Sequence, residues 1–304
     1  MPIDVLHDAR LSIASIVFAT DFSPASRNAG LYAAAIARHF NAELIVIHAF
    51  ILSQNAREAE SLGRTDSAER RHLEEQLRAT AASLMAYGAS VHAELLDGEP
   101  SEKVAAFADA IPRSLLVLGT HGGGSVERHV IGSVAERSLR RAACPTITVG
   151  PKVPELNRTQ IFSRMLYATD CSEMASRAAP LACAMARTFS SALRVISIID
   201  DKSGPLADVL ADLEFHTHQA ISDQIEGQCD HFSEARVLAN SKRAREVILK
   251  YAADTKSDLI ILGVHRRKTI EILDRNSVTI QLITCAHCPV LTVTKDSLSG
   301  DTKQ

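Results

Sequence analysis

The chain has 304 residues, 46% of them apolar and 23% charged, with a formal charge of −3, the composition of an ordinary globular protein. The charge balance gives no basic footprint for nucleic acid, and no apolar run reaches the length of a membrane span. Its length suits two domains of about 150 residues better than one core.

The N-terminal segment MPIDVLHDARLS has neither the basic nor the apolar stretch of a secretory leader, so a cytoplasmic protein is expected. The six cysteines (Cys144, Cys171, Cys183, Cys229, Cys285, Cys288) do not suggest a disulfide framework. Several sit in apolar contexts where a thiol acts as a small hydrophobe.

Ser15 to Asp21 (SIVFATD) reads as a buried strand ending in an acid. Ser23 and Pro24 are an N-cap and a first helical residue, and the helix runs through Ala33, Ala37 and Phe40. A second strand follows at Glu43 to Phe50 (ELIVIHAF), and Ser53 to Thr65 is polar and irregular. From Asp66 a long amphipathic helix shows Leu73, Leu77, Ala81, Leu84 and Met85 at helical spacing and ends at Gly88. Then come a strand near Val91 to Leu96, a turn at Asp97 to Pro100, and a helix from Ser101 to Ala110.

Leu115 to Leu118 has the character of a strand buried on both faces. It runs into Gly119-Thr120-His121-Gly122-Gly123-Gly124, and Gly132-Ser133-Val134 opens another helix. Glycines at a strand end permit close approach, and a helix start offers unpaired N–H groups to phosphate. That helix stops at Cys144-Pro145, and Thr146 to Val149 returns as a strand.

The sequence then begins again. Met165 to Ser172 echoes Ile16 to Ser23, Leu259 to His265 echoes Leu115 to His121, and Cys288 to Val293 echoes Cys144 to Val149. The chain is an internal duplication, with domains expected at 1–152 and 160–299. Strands alternating with helices predict an α/β fold. Each half is an open five-stranded parallel sheet with helices on both faces and ligands bound beyond the strand ends.

Gly119, Gly122, Gly132 and Ser133 spell G-x2-G-x9-G-S, which resembles the ATP-binding signature of the universal stress protein family. Ala19-Thr20-Asp21, His48-Ala49 and Leu118 match the same family, and the resemblance covers nearly the whole chain as a tandem pair. It implies a Rossmann-like fold similar to the adenine nucleotide alpha hydrolases. It also implies ATP, with its base near Asp21 and Ala49, its ribose near Gly119, and its phosphates on the loop and the Ser133 helix start. Asp21 has a second reading, as the cap of its own turn. Arg128 and Arg137 are candidates to meet phosphate or to pair with acids, and His48 and His121 read as histidines that satisfy backbone.

The second half keeps Asp170, Gly263 and Ser277, but Arg266 stands where the first has Gly122, and Asn276 where it has Gly132. Its nucleotide site is expected to be occluded. His216, His218, Cys229 and His231 fall mostly on one helix marked by Leu206, Leu210, Leu213, Ile221 and Ile225, at spacings unsuited to a shared metal. Thiol sensing by Cys285 and Cys288 is an alternative use of that pair.

No catalytic set stands out, so the expected function is nucleotide-dependent regulation in a stress response. The alternatives are slow hydrolysis of ATP bound with Mg2+, or a nucleotide-free interaction protein. The last strand of each half should lie at a sheet edge that needs cover. The halves are expected to pair through these strands, as subunits of single-domain relatives do, and a further homodimer of the chain is compatible with this.

Overall fold

The computed structural model describes residues 11–53, 68–120, 131–157, 161–172, 175, 177–200, 207–225, 229–240, 244–264, 277–294 and 297. Contacts divide the chain into two compact units. The first spans Ile13–Pro151 and Glu155–Asn157, and the second takes Lys152–Pro154 and the described residues after Asn157.

In the first unit, β1 (Ser15–Ala19), β2 (Glu43–Phe50), β3 (Ser90–Asp97), β4 (Ser114–Gly119) and β5 (Thr146–Val149) form a sheet in the order β3-β2-β1-β4-β5. The ladders of β1 with β2 and β4, of β2 with β3, and of β4 with β5 are all parallel. Ile16, Val17, Phe18 and Leu115 to Leu118 are buried, the pattern of strands covered on both faces. β3 has no fully buried residue, as an edge strand allows.

Alternation along β1 sends Val17 and Phe18 to opposite faces. Val17 packs with Ile45, Leu116, Val104, Ala105 and Ala108, so α3 (Pro100–Ala110) covers that face. Phe18 meets Gly30 of α1 (Pro24–Phe40) and lies near Leu84 of α2 (Ala68–Met85) on the other. Ser23 caps α1 through Ser26 N–H, with Pro24 in the first turn, as the sequence predicts.

Two expectations are corrected. α3 begins at Pro100 rather than Ser101, because the Glu99 carboxylate caps it by accepting from Glu102 N–H at 2.8 Å. Met85 is 52% exposed, since α2 buries only Leu77, Ala81 and Leu84 and ends as the stripe reaches Met85.

The last helix of this unit, α4 (Ser133–Arg141), is tied to α3. Arg141 Nη1 donates to Ser101 Oγ at 2.6 Å and to Glu99 Oε2 at 3.1 Å. Asp109 accepts the Ala143 and Cys144 N–H groups just beyond the helix.

The second unit repeats the plan. β6 (Arg164–Ala168), β7 (Ala192–Asp200), β8 (Phe232–Asn240), β9 (Leu259–Gly263) and β10 (Val290–Val293) take the order β8-β7-β6-β9-β10, again with parallel ladders. Its helices are α5 (Ala179–Phe189), α6 (Ala207–Ile225), α7 (Ala244–Asp254) and α8 (Val278–Cys285). On α6, Ile221 and Ile225 are buried as expected, but Leu213 is 43% exposed, so the apolar stripe is narrower than the sequence suggests. No described helix is long and apolar enough to cross a membrane.

A Cβ built on Gly30 would lie 2.9 Å from Cε1 of the fully buried Phe18 ring. Gly30→Val is therefore expected to destabilise the first unit by about 1–3 kcal/mol, the usual cost of overpacking. Urea unfolding checks this, and an unchanged midpoint would mean that α1 does not press on β1 there.

Candidate functional site

The strands β1, β2 and β4 run parallel, with Ala19 opposite both Ile47 and Leu118. Their carboxyl ends open on one side, and β1 and β4 are the neighbours from which the chain winds in opposite directions. A crevice at such a switch point is the usual ligand position in an open α/β sheet.

Past β1 the chain makes a tight turn. Thr20 N–H donates to Ile47 C=O at 2.9 Å. Thr20 Oγ1 accepts from Phe22 N–H at 3.0 Å and bonds Ser26 Oγ at 2.9 Å. Asp21 Oδ1 accepts from Ser23 N–H at 3.0 Å, and Ser23 Oγ accepts from Ser26 N–H at 3.1 Å. These bonds hold Phe22 at φ 62°, a left-handed conformation uncommon for a bulky residue. Asp21 does cap its own turn. It is also exposed, and a carboxylate has acceptor capacity beyond one N–H.

The end of β2 lies against this turn. His48 Nδ1–H donates to Thr20 C=O at 2.7 Å, and the His48 and Phe22 rings are 4.4 Å apart between centroids. Burial holds the His48 pKa below its ordinary value, against the opposing pull of the Thr20 carbonyl and the Asp21 charge. The imidazole is thus a structural tie, as its sequence context suggested. On the other face, Ala19, Ala49 and Leu118 belong to the cluster covered by Val104, Ala105 and Ala108. Two of the three are alanines, which keeps that end of the core shallow.

At the end of β4, Gly119 has a packing reason to be glycine. A Cβ there would lie 3.0 Å from Ser26 Cα and 3.3 Å from Ala25 C=O, so the backbone approaching it is the first turn of α1. Thr120 is buried, with its N–H on Val149 C=O at 3.3 Å. Its carbonyl accepts from Gly132 N–H at 2.6 Å, which docks the start of α4 directly on the end of β4. Gly122, His121 and Arg128 lie outside the described residues.

Gly132 is the N-cap of α4 and supplies no side-chain cap, while Ser133 and Val134 behind it are exposed. Gly132 therefore gives the first-turn N–H groups of α4, at the positive end of the helix, no cap of its own. Arg137 lies 3.8 Å from Glu99, and Arg140 pairs with Glu136, so both are engaged by acids.

The second unit copies the turn and alters the helix start. Cys171 has φ 57°, Thr169 Oγ1 accepts from Cys171 N–H at 3.0 Å, and Asp170 Oδ1 accepts from Ser172 N–H at 3.0 Å. In α8, however, Ser277 is the N-cap, and its Oγ accepts from Ile280 N–H at 3.3 Å. Ser133, its counterpart, is already inside α4. The second helix thus starts one residue later and closes its own end. Arg266 and Asn276 lie outside the described residues.

The arrangement is suited to holding a ligand. Near the turn, the Thr20 and Ser26 hydroxyls bond each other and the His48 Nδ1–H is taken by a carbonyl. The left-handed residue in the turn was not legible from composition or periodicity. The repeated Thr-Asp-x-Ser pattern, at residues 20–23 and 169–172, was the available signal.

His48 also gives a signed pH dependence. Between its lowered folded pKa and the ordinary 6.5, the unfolded chain binds more protons than the folded one. Its contribution to stability is full above about 6.5 and is lost as pH falls through the folded pKa. His48→Gln should flatten the pH dependence of the urea midpoint over that window, and an unaltered slope would contradict the buried neutral ring.

Comparison with known proteins agrees with this architecture. The family model described as "Universal stress protein family" matches residues 13–150 and 162–294. A universal stress protein of Methanocaldococcus jannaschii is 32% identical over 140 residues, covering 44% of this chain and 80% of the relative. One of Thermus aquaticus is 32% identical over 139 residues, covering 44% and 97%. The crystal structure of a universal stress protein from Archaeoglobus fulgidus superposes with a TM-score of 0.69 at 19% identity, covering 92% of this chain and 98% of that one, a likeness of fold. With one domain of the family matched in each half, the chain belongs to the universal stress protein family in a tandem form.

Proposed function

We propose that the first domain binds ATP, or a closely related adenine nucleotide, and that the chain acts as a nucleotide-dependent regulatory protein in a cytoplasmic stress response. The observation that carries this reading is that α4 starts behind a glycine that supplies no cap, docked by Gly132 N–H on Thr120 C=O beside the exposed Asp21. Unpaired N–H groups at the positive end of a helix favour phosphate. In this reading the phosphates lie on Gly122, Gly132, Ser133 and Val134, with Mg2+ accompanying the triphosphate. The ribose lies near Gly119, and the base lies by Ala19, Thr20, Asp21, Ala49 and Leu118.

The second domain is read as lacking a nucleotide. Its helix start is taken by Ser277, in keeping with Arg266 and Asn276 where the first half has glycines. Its proposed role is to pair with the first domain through β10 and β5, the last strands of their sheets.

Calorimetric titration with ATP tests the site. Gly132→Arg should weaken binding by about a hundredfold or more, since two charge-assisted bonds are worth about 1.5–3 kcal/mol each. Wild-type affinity in that variant would move the phosphates elsewhere. Asp21→Ala should weaken ATP and adenosine alike if the acid serves the nucleoside, whereas a loss confined to ATP would assign it to phosphate and metal.

A further inference from the structure

Outside the nucleotide crevice, the first domain carries a strand edge that is complementary to itself. β3 lies at the opposite end of its sheet from β5, and no described strand runs along its outer side. It pairs with β2 over all eight residues without a break in register, so no bulge turns the edge away from a partner. α2 sits over the seam of β2 and β3, with Leu73 beside Phe50 and Leu95, and α3 covers the other face through the cluster that takes in Leu96. His92 and Glu94 share that second face by alternation. Their side chains are 60% and 46% exposed and lie 3.9 Å apart.

We propose that two copies of the chain pair through β3, antiparallel about a two-fold axis at Ala93, and so continue the sheet from one copy to the next. In that register His92 stands opposite Glu94 of the second copy, and Glu94 opposite its His92. Each carboxylate then has an imidazole on its own strand and another across the axis, and both rings can donate to it. On the other face Val91 stands opposite Leu95 of the second copy, twice over, and both residues are only half-buried in the single chain. Cross-strand pairs of these kinds are what stabilise a sheet.

The same residues set the register. A slip that keeps the faces matched puts Glu94 against Glu94, or His92 against His92, and like groups directly opposite are unfavourable. The outer strand of the second unit, β8, is less suited to such pairing. Its ladder with β7 breaks register between Leu193 and Arg194, and Glu234 is already held by Arg236 at 2.5 Å and by Tyr251 at 3.3 Å. The contact through β3 also lies away from β5, so it does not compete with the pairing proposed between the domains.

Sedimentation velocity of the full chain over a concentration series tests the proposal. The wild type should be a dimer that dissociates on dilution. Glu94→Lys places a cation opposite His92 and should raise the dimer dissociation constant about tenfold or more, since two cross-strand pairs turn unfavourable at once. His92→Glu combined with Glu94→Lys exchanges the two roles and should restore the dimer, which general damage to the edge would not allow. Ala93→Cys reads the register directly. Opposite residues of an antiparallel pair have Cα atoms about 4.5–5.5 Å apart, so mild oxidation should give a reducible link from position 93 to position 93 on peptide mapping. A wild type monomeric at every concentration, a dimer indifferent to Glu94→Lys, or a double variant that stays monomeric would overturn the proposal. So would a link from position 93 to Cys229 just before β8, which would mark a head-to-tail contact instead.

Discussion

Thr20 is the joint on which the first domain's binding end depends. Its N–H continues the ladder to β2 at Ile47, and its carbonyl takes the His48 ring. Its hydroxyl oxygen holds the Phe22 N–H and the Ser26 hydroxyl at the first turn of α1. One buried residue therefore fastens two strands and a helix, and leaves Asp21 exposed at the only step between them. An unpaired polar group at this depth costs about 1–3 kcal/mol, so the set is self-enforcing: losing one partner strands another. The left-handed Phe22 is tolerated because these bonds over-determine the turn. Thr169 repeats the scheme with Ile196 and Cys171, which makes the turn a property of the fold rather than of ligand binding.

Among the described residues, the two domains differ at a helix start. α4 begins behind a glycine, whereas α8 begins behind a serine whose hydroxyl serves Ile280 N–H. A serine cap stabilises a helix by about 1 kcal/mol relative to a residue that cannot cap. A glycine at that position costs roughly a few tenths of a kcal/mol against serine and places no side chain at the helix start. The duplicated chain thus carries one helix start capped by its own serine and another that begins behind a glycine.

Much of the scaffold was legible in the sequence because its signals are local. Glu43–Phe50 matches its predicted strand, Ser23 and Pro24 open α1 as their chemistry dictates, and the repeats mark two parallel-sheet domains. Features that depend on distant neighbours were not legible. Met85 and Leu213 fit an apolar stripe by spacing, but both stay largely exposed. Glu99 became a cap because Pro100 and Arg141 fix it there. Gly119 reads as room for a ligand, yet the group that comes close to it is the backbone of α1.

The central claim is that an open helix start distinguishes a nucleotide-holding domain from a closed one in the same chain. Native mass spectrometry of the full chain, saturated with ATP and then desalted, counts the bound nucleotides directly. One adenine nucleotide per chain is the predicted result; two per chain, or none at any concentration, would contradict it.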